Sequence, residues 1–152
     1  MRLNARVDYA LRAVVELAAA GGTATGPVTA ERLASAQGIP PKFLESILLQ
    51  LRRAGVVHSQ RGPEGGYWLA KPADEITLAD VIRTIDGPLA NVRGQRPEQL
   101  GYHGAAASLQ DVWIALRASE REILDLVTVA DVAAGKLPKR VRTLAANPEA
   151  WS

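Results

Sequence analysis

The sequence predicts a mainly α-helical protein that carries one small β-hairpin and, after it, one long helix. Three observations support this fold class. Apolar residues recur every three or four positions in three successive segments of residues 4–55, which is the spacing of amphipathic helices. Two short β-prone runs flank a loop rich in glycine and proline at residues 61–66, a pattern typical of a hairpin. A further apolar stripe begins after residue 105 and continues for about five helical turns.

The length and composition indicate one soluble domain, or one domain with an appendage. The chain has 152 residues, of which 47% are hydrophobic and 22% are charged, as is ordinary for a globular protein. No apolar run reaches the roughly 18 residues of a membrane span. Charged residues such as Asp8 and Arg12 interrupt the N-terminal segment, so we expect a cytoplasmic protein without membrane contact. The lack of cysteine excludes disulfides and thiolate catalysis.

The positive charge is concentrated in the N-terminal half of the chain. Residues 1–72 hold nine Lys and Arg against five Asp and Glu, a net charge of +4. Residues 73–152 hold nine against eleven, a net charge of −2. A basic half favours an acidic partner, and nucleic acid is the first candidate. A split of this size also arises by chance, so charge alone does not decide the function.

Capping residues predict the boundaries of the first three helices. Asn4 and Thr29 are of the type that caps helix N-termini, Pro41 suits a first helical turn, and Gly38 and Gly55 are typical of helix ends. The third helix is predicted to bury one apolar face, formed by Phe43, Leu44, Ile47, Leu48 and Leu51. A helix, a short helix, a turn and a helix, followed by a hairpin, predict a winged helix-turn-helix, with the hairpin as its wing.

The C-terminal half is predicted to contain a loop and further helices. Residues 77–80 and 128–131 match the capping-box pattern and predict two helix starts. Residues 88–104 lack periodicity and predict a long loop, and the long helix is expected at residues 105–127. The predicted divisions are a winged helix-turn-helix domain (1–87), a loop without cysteines (88–104), a long helix with a short following helix (105–135) and a flexible basic tail (136–152).

Several motifs together resemble one known family. The most specific is the wing sequence RGPEGGY at residues 61–67, and further matches are Gly38-Ile39, Phe43-Leu44-Glu45 and the segment at residues 51–57. Through these motifs the chain resembles the Rrf2 family of bacterial transcription regulators, and the match continues to about Gly135. The resemblance implies a dimeric winged helix-turn-helix protein that binds a partly palindromic operator in double-stranded DNA, usually as a repressor.

The residues expected to contact DNA lie on the third helix and in the wing. The second helix of a helix-turn-helix enters the major groove, with the face opposite its apolar stripe toward the bases. The candidates on this helix are Lys42, Glu45, Ser46, Leu49, Gln50 and Arg53. The resemblance implies that Glu45 reads bases and that Arg61 reaches the minor groove, where Gly62 permits close approach. Arg52 and Lys71 would contact phosphates. The alternative is that these residues do not contact DNA and only form a solvated surface.

The long helix is expected to form a dimer interface. Its stripe of large apolar residues needs more cover than one small winged domain supplies, and a second subunit provides that cover. The resemblance likewise implies that the helix crosses its counterpart in the homodimer. The alternative is a helix packed in the core of its own chain. The expected interface residues are Leu109, Trp113, Leu116, Ile123 and Val127.

The loop before the long helix departs from the family pattern. Many family members hold an iron–sulfur cluster there through three cysteines, and this chain has none. Cluster iron requires thiolates, and Asp8, His103 or Gln110 could at most supply a fourth ligand, so no cofactor and no metal ligand are predicted. Three alternatives stay open for the loop: a small-molecule ligand, a partner protein, or no sensory role.

An enzymatic function is not expected. The two histidines, His58 and His103, form no serine–histidine–aspartate pattern, and no glycine-rich phosphate loop follows a strand. A metal site built on His103 and Asp111 would lack further ligands. The remaining alternative is a winged-helix module that binds only proteins. Loss of Arg61 or an acidic third helix would favour that module, and the sequence has neither feature.

Overall fold

The computed structural model describes residues 1–151, which contain seven α-helices and one two-stranded antiparallel sheet. The elements in chain order are α1 (Ala5–Ala20), α2 (Ala30–Gln37), α3 (Pro41–Arg53), β1 (Val57–Gln60), β2 (Gly66–Leu69), α4 (Leu78–Asp86), α5 (Leu109–Leu124), α6 (Val129–Ala134) and α7 (Lys139–Ala145). The order of α1 to α3 and the hairpin confirms the predicted winged helix-turn-helix. Across this described range, none of the helices has both the length and the apolar character needed to cross a bilayer.

Side-chain caps fix the starts of the first two helices where the sequence predicts them. Asn4 Oδ1 accepts a hydrogen bond from the backbone N–H of Val7 at 2.9 Å. Thr29 Oγ1 accepts one from the N–H of Arg32 at 3.2 Å. These bonds satisfy N–H groups that have no partner inside the helix. Gly38 ends α2 at a φ of 62°, a left-handed conformation that glycine adopts without steric cost.

Helix α1 lies at the centre of the fold, where it contacts α2, α3, α4 and α6. Its inward-facing residues are at most 1% exposed, and they are Val7, Ala10, Ala13, Val14 and Leu17. The small side chains of Ala10 and Ala13 allow the neighbouring helices to approach α1 closely, as a close-packed interior requires. The facing residues of α3 are fully buried as well, and they are Leu44, Ile47, Leu48 and Leu51.

Phe43 is the exception on the predicted apolar face of α3, because 38% of it is exposed. The ring lies about 90° around the helix from the centre of the buried face. There it makes an edge-on contact with Tyr9 of α1, at a ring-centroid distance of 5.4 Å, and the Arg6 guanidinium lies 5.9 Å from its centroid. The prediction that Phe43 belongs to the core was wrong, since Phe43 forms the edge of the α1–α3 contact.

The wing is joined to the segment that precedes α2. Strands β1 and β2 pair in antiparallel register, beginning with Val57 opposite Leu69. Val28 and Tyr67 then exchange two backbone hydrogen bonds of 2.9 and 2.7 Å along the other edge of β2. This short bridge holds the wing against the start of α2, so the hairpin is not an isolated ribbon.

The chain returns to the winged domain after α5. Thr77 and Thr128 form an isolated antiparallel bridge, and the N–H of Leu78 donates to the carbonyl of Val127 at 3.0 Å. The capping boxes predicted at both threonines are present and begin α4 and α6. Helix α6 then packs on α1, with Val129 fully buried. The last helices are therefore part of the same core.

Two C-terminal elements differ from expectation. Helix α5 spans the 16 residues Leu109–Leu124, which is shorter than the expected 105–127, because Gly104–Ala106 forms a separate 3-10 turn. Residues 136–152, predicted as a flexible basic tail, include α7. Pro138 is its N-cap residue and makes no side-chain cap, so the usual capping signal is missing from the sequence.

We expect the substitution Gly66→Ala to destabilise the wing. A Cβ at this position would lie 2.5 Å from the carbonyl oxygen of Val28 and 3.0 Å from its nitrogen. Because backbone atoms cannot rotate away, the Val28–Tyr67 bridge must open. The free energy of unfolding should fall by about 1–3 kcal/mol, as measured by urea denaturation. Gly101→Ala is the control, because among described residues nothing beyond its chain neighbours lies within 4 Å. An equal loss in both variants would contradict the prediction.

Candidate nucleic-acid interface

The outward face of α3 carries most of the side chains predicted to contact DNA. Those that the structure leaves exposed are Lys42, Glu45, Ser46, Leu49 and Arg53. They lie on the side of the helix away from its buried leucines. Leu49 is 38% exposed, so this apolar side chain contributes little to the core of the protomer. The face combines cationic, anionic, hydroxyl and apolar groups, which together suit the edges of base pairs.

Gln50, the remaining predicted contact on α3, faces the protein. Its Oε1 accepts hydrogen bonds from Arg6 Nε at 3.2 Å and from Arg6 Nη2 at 2.8 Å. Its Nε2 donates to the carbonyl of Thr84 at 3.0 Å. We therefore correct the assignment of Gln50 as a DNA contact, since its amide joins α1 and α4 to α3. The sequence pattern of α3 could not indicate this, because Arg6 and Thr84 are distant along the chain.

Arg6 also fixes the outer surface of α3 through Ser46. Arg6 Nη1 donates to Ser46 Oγ at 2.9 Å, and that hydroxyl donates in turn to the carbonyl of Phe43 at 3.1 Å. Ser46 stays exposed while it makes both bonds. Its oxygen is therefore held in one orientation on the face that is free to contact a ligand.

The wing and α3 enclose a cleft of about 570 Å³. Its walls include Leu49 from α3, Arg61 and Gly62 from the wing loop, and Thr29 at the start of α2. Gly62 has a φ of 109°, which side-chain-bearing residues rarely adopt, so glycine is required at this turn. The structure thus brings Leu49, Arg61 and Gly62 to one cleft together with the predicted phosphate contact Arg52, while the other exposed candidates on α3 lie outside it.

The cleft also includes residues that sequence reasoning assigned differently. Arg52 lines it and donates from Nη1 to Ser59 Oγ at 3.4 Å, so this predicted phosphate contact is oriented by the wing strand. Thr29 was interpreted only as a helix cap. The Val28–Tyr67 bridge places Thr29 beside the wing, and a bridge between residues so far apart leaves no local pattern in the sequence.

The segment at residues 88–104 is irregular and lies against α5. Gln110 of α5 directs its Nε2 toward three carbonyl oxygens of this segment, those of Leu100 at 2.8 Å, Pro97 at 3.3 Å and Glu98 at 3.4 Å. Leu89 and Leu100 are buried. Pro97 is fully buried as well, so the segment is anchored by the Gln110 amide, by three apolar side chains and by the ion pair between Glu98 and Arg117.

A charged network connects α4 with α5 beside this segment. Arg83 donates to both carboxylate oxygens of Asp125, at 3.0 and 3.3 Å, and Arg121 Nε donates at 2.9 Å. The hydrogen bonds from Arg83 and then from Arg121 hold the pKa of Asp125 below its ordinary value. The pKa of Glu98 is lowered by its own backbone N–H and then by its ion-pair partner Arg117. Both carboxylates are therefore charged at neutral pH.

Another face of α5 exposes apolar side chains. The most exposed are Leu109 at 39%, Val112 at 52% and Leu116 at 39%. Trp113 and Ile123 are half-buried, and Trp113 Nε1 donates to the hydroxyl of Tyr102 at 3.0 Å. Val127 is only 2% exposed because it packs within its own protomer. It has almost no surface to offer a second subunit, so we correct its assignment as an interface residue.

Comparisons with known proteins identify close relatives. A family model described as Rrf2, an iron-dependent transcriptional regulator, matches residues 3–135. An HTH-type transcriptional regulator of Mycobacterium tuberculosis (strain H37Rv) is 54% identical over 146 residues, which cover 95% of this chain and 89% of the relative. The regulator CymR of Bacillus subtilis is 32% identical over 133 residues, which cover 88% and 90% of the two chains.

Solved structures give the same result. The structure of CymR from B. subtilis matches with a TM-score of 0.73 and 30% identity, over 88% of this chain and 97% of that one. IscR of T. potens matches with a TM-score of 0.69 and 29% identity, over 89% and 88%. The fold and these relatives define a winged-helix, DNA-binding transcription regulator rather than an enzyme. More specifically, the chain belongs to the Rrf2 family, which confirms the resemblance carried by the wing motif.

The residues of this chain do not fit an iron–sulfur cluster. The family description includes iron, and cluster iron is held mainly by cysteine thiolates. The chain contains no cysteine. Between residues 1 and 151, no three His, Asp or Glu side chains group in a way that could hold a metal ion. His103 is exposed, and the Gln110 amide already binds backbone carbonyls.

We expect Asp125 to stabilise the fold in a pH-dependent way. Its pKa is lowered from the ordinary 3.8, so the ionised form stabilises the folded chain above that pH. The stabilisation is lost as the pH falls through the lowered pKa. Asp125→Asn should therefore lower the Tm at pH 7, and its difference from the unmodified protein should shrink in acid.

Thermal unfolding followed by circular dichroism between neutral and acidic pH measures this difference. Asp111→Asn is the control, because Asp111 is an exposed residue of the first turn of α5, whereas Asp125 directly follows the last turn. A difference in Tm for Asp125→Asn that is the same at every pH would contradict the role of its ionised carboxylate.

Proposed function

We propose that this regulator is a cytoplasmic homodimer that represses transcription by binding a partly palindromic operator, and that it does so without an iron–sulfur cluster. The observation that carries the proposal is the cleft in which the outward face of α3 meets Arg61 and Gly62 of the wing. Such a surface presents a helix and a hairpin with an exposed arginine on one side of the molecule, as the two grooves of duplex DNA require.

Helix α3 is the element that we assign to the major groove. The groove is about 12 Å wide and admits one α-helix with its side chains. Glu45 can accept from a cytosine amino group, and Leu49 can contact a thymine methyl group. Lys42 and Arg53 lie at opposite ends of the exposed face, where cations reach bases or phosphates. Ser46 is held by Arg6 and offers a hydroxyl of fixed direction.

The wing is the element that we assign to the minor groove. Arg61 is exposed at the start of the wing loop, with the turn at Gly62 beside it. A narrow minor groove has a strong negative potential that attracts arginine. The Val28–Tyr67 bridge supports this assignment, because it fixes the wing relative to α2 and thus relative to the adjoining α3.

The exposed apolar face of α5 is the surface that we assign to the second subunit. Leu109 and Leu116 are seven residues apart and therefore lie on the same side of the helix. Glu120 lies on this side as well, and neither of its buried carboxylate oxygens has a hydrogen-bond partner within residues 1–151. A buried carboxylate without a partner is costly. A second copy, related by two-fold symmetry, covers the leucines and can bring a donor to Glu120.

The lack of thiolate ligands supports regulation without an iron–sulfur cluster. Cluster-containing relatives would sense iron or redox state through thiolates, and this chain offers none of them. We infer that the effector of this regulator is a small molecule or a protein partner, and that segment 88–104 is where it acts. CymR is described as the global cysteine regulator of B. subtilis, which supports a role in gene regulation for this family member.

The decisive experiment is selection of genomic DNA fragments by the purified protein, followed by sequencing of the bound fragments. Enrichment of a short, partly palindromic sequence would support the proposal and would supply the operator. Recovery of fragments without a common sequence would contradict specific binding and would favour the protein-interaction module instead.

We expect Arg61→Ala to weaken operator binding by about 1–3 kcal/mol, because one minor-groove contact is lost. Fluorescence anisotropy with the selected operator at fixed salt measures the change. The control is Arg142→Ala, since Arg142 is an exposed arginine on α7, outside the winged domain. Unchanged affinity for Arg61→Ala, or an equal loss in both variants, would remove the wing from the interface.

We expect Leu116→Ala to weaken the dimer by about 2–4 kcal/mol, because a buried apolar contact is truncated at the interface. Sedimentation equilibrium should give about twice the protomer mass of 16.2 kDa for the unmodified chain. Leu144→Ala is the matched control, because Leu144 on α7 is 38% exposed and Leu116 is 39% exposed. A monomer at micromolar concentration would disprove the dimer and, with it, the palindromic operator.

A further inference from the structure

A second cleft, between α4, α5 and the segment that joins them, is lined by four arginines. It has a volume of about 660 Å³ and lies between the end of α4, the segment after it and α5. This volume is in the range of sites for small metabolites. The charged residues that line it are Arg83, Arg96, Arg117, Arg121, Glu98 and Asp125.

The charges of this cleft do not balance. Asp125 pairs with Arg83 and Arg121, and Glu98 pairs with Arg117. The guanidinium of Arg96 donates no hydrogen bond to any residue in the described part of the chain, and it is exposed. Four guanidinium groups and two carboxylates thus line the cleft. Asp80, 3.9 Å from Arg83, is a further acidic partner of these arginines, and positive charge still exceeds negative charge.

The guanidinium groups indicate which kind of ligand fits the cleft. Each presents a planar fork of N–H donors that matches the two oxygens of a carboxylate or phosphate. A dianion would neutralise the surplus charge, and its oxygens would occupy donors that the protein leaves free. Neutral or cationic ligands would leave the surplus uncompensated.

The cleft and the apolar face lie on different sides of α5. Gln110, Arg117 and Arg121 follow one another at intervals of seven and four residues, so they line one side of the helix. Leu109 and Leu116 form the adjacent side, offset by one residue at each position, or about 100° around the helix. A second subunit seated on the leucines therefore leaves the arginine side open to solvent.

The cleft is also connected to α3 through α4. Arg83 lies on α4 and lines the cleft, and the next residue, Thr84, accepts a hydrogen bond from Gln50 of α3 through its carbonyl. The other wall is the segment at residues 88–104, which Arg117 holds through Glu98. A ligand that recruits Arg83 or Arg117 therefore acts on groups that position α4 and this segment.

We propose that this arginine cleft binds a small dianion bearing phosphate or carboxylate groups, and that its occupancy changes the affinity of the protein for DNA. The regulatory half of this proposal, that occupancy changes DNA affinity, rests on the proposed DNA-binding function. The binding half, that the cleft takes an anion, does not. An anion in the cleft competes with Asp125 and Glu98 for their arginines, so the α4–α5 contact and segment 88–104 respond to it. By linkage, bound DNA must change anion affinity by the same factor.

Isothermal titration calorimetry with inorganic phosphate and with succinate, at constant ionic strength set by chloride, tests the binding half. We expect saturable binding of one dianion per protomer, and the comparison of the two probes identifies whether phosphate or carboxylate is preferred. Arg96→Gln should weaken binding about tenfold or more, because a charge-assisted hydrogen bond is lost. It should change the Tm little, because Arg96 is exposed and its coulombic attraction to the exposed Glu98 is screened by solvent.

Two matched variants make the result specific. Arg93→Gln changes another exposed arginine of the same segment that does not line the cleft, and Arg61→Gln changes the wing. Both should bind the anion as the unmodified chain does. Absence of binding at millimolar concentration, equal weakening by Arg93→Gln, or loss of binding in Arg61→Gln alone would overturn the site.

The regulatory half is tested by titrating the selected operator in the presence and absence of the preferred anion. We expect a change in DNA affinity that is present in the unmodified chain and absent in Arg96→Gln. An equal change in both proteins would show screening by salt and would overturn regulation through the cleft. DNA binding measured without the anion tests the proposed function separately, so the two failures are distinguishable.

Discussion

The burial of α1 against four other helices is the constraint on which the rest of the structure depends. Its inward face includes Ala10 and Ala13, both fully buried. Larger residues at these two positions would push the neighbouring helices away from α1, since interiors of this density have no room for added volume. The position of α3, the return of the chain after α5 and the packing of α6 therefore all depend on how closely these elements can approach α1.

The local features of the fold were predictable because each depends on residues that are close together in the sequence. The caps at Asn4 and Thr29, the capping boxes at Thr77 and Thr128 and the turn of the wing each depend on side chains a few positions apart. The bridge from Val28 to the wing was not predictable in this way, because it pairs two distant segments through backbone atoms. The length of α5 was overestimated because apolar periodicity continues past the residues that actually form the helix.

The candidate site was predictable to the extent that helical periodicity separates an inner from an outer face. Leu49 and Arg61 meet in one cleft as the motif suggested, whereas Gln50 lies at the border between faces, where a neighbouring helix decides the outcome. Val127 carries the right residue type for an interface, yet it lies beyond the end of α5 and is covered by its own chain. The arginine cleft gave no sequence signal, since its arginines come from α4, segment 88–104 and α5, which are separate along the chain.

The Gln110 amide, which holds segment 88–104 against α5, has fewer hydrogens than the carbonyl oxygens that surround it. The side-chain nitrogen of Gln110 carries two hydrogens, yet three carbonyl oxygens lie within 3.4 Å of it. The two hydrogens therefore serve three acceptors, either through a three-centre bond or with one carbonyl that receives no hydrogen from this amide. Whichever carbonyl that is, the amide keeps two hydrogen bonds to the segment, so Gln110 stays bound to it when the acceptors exchange.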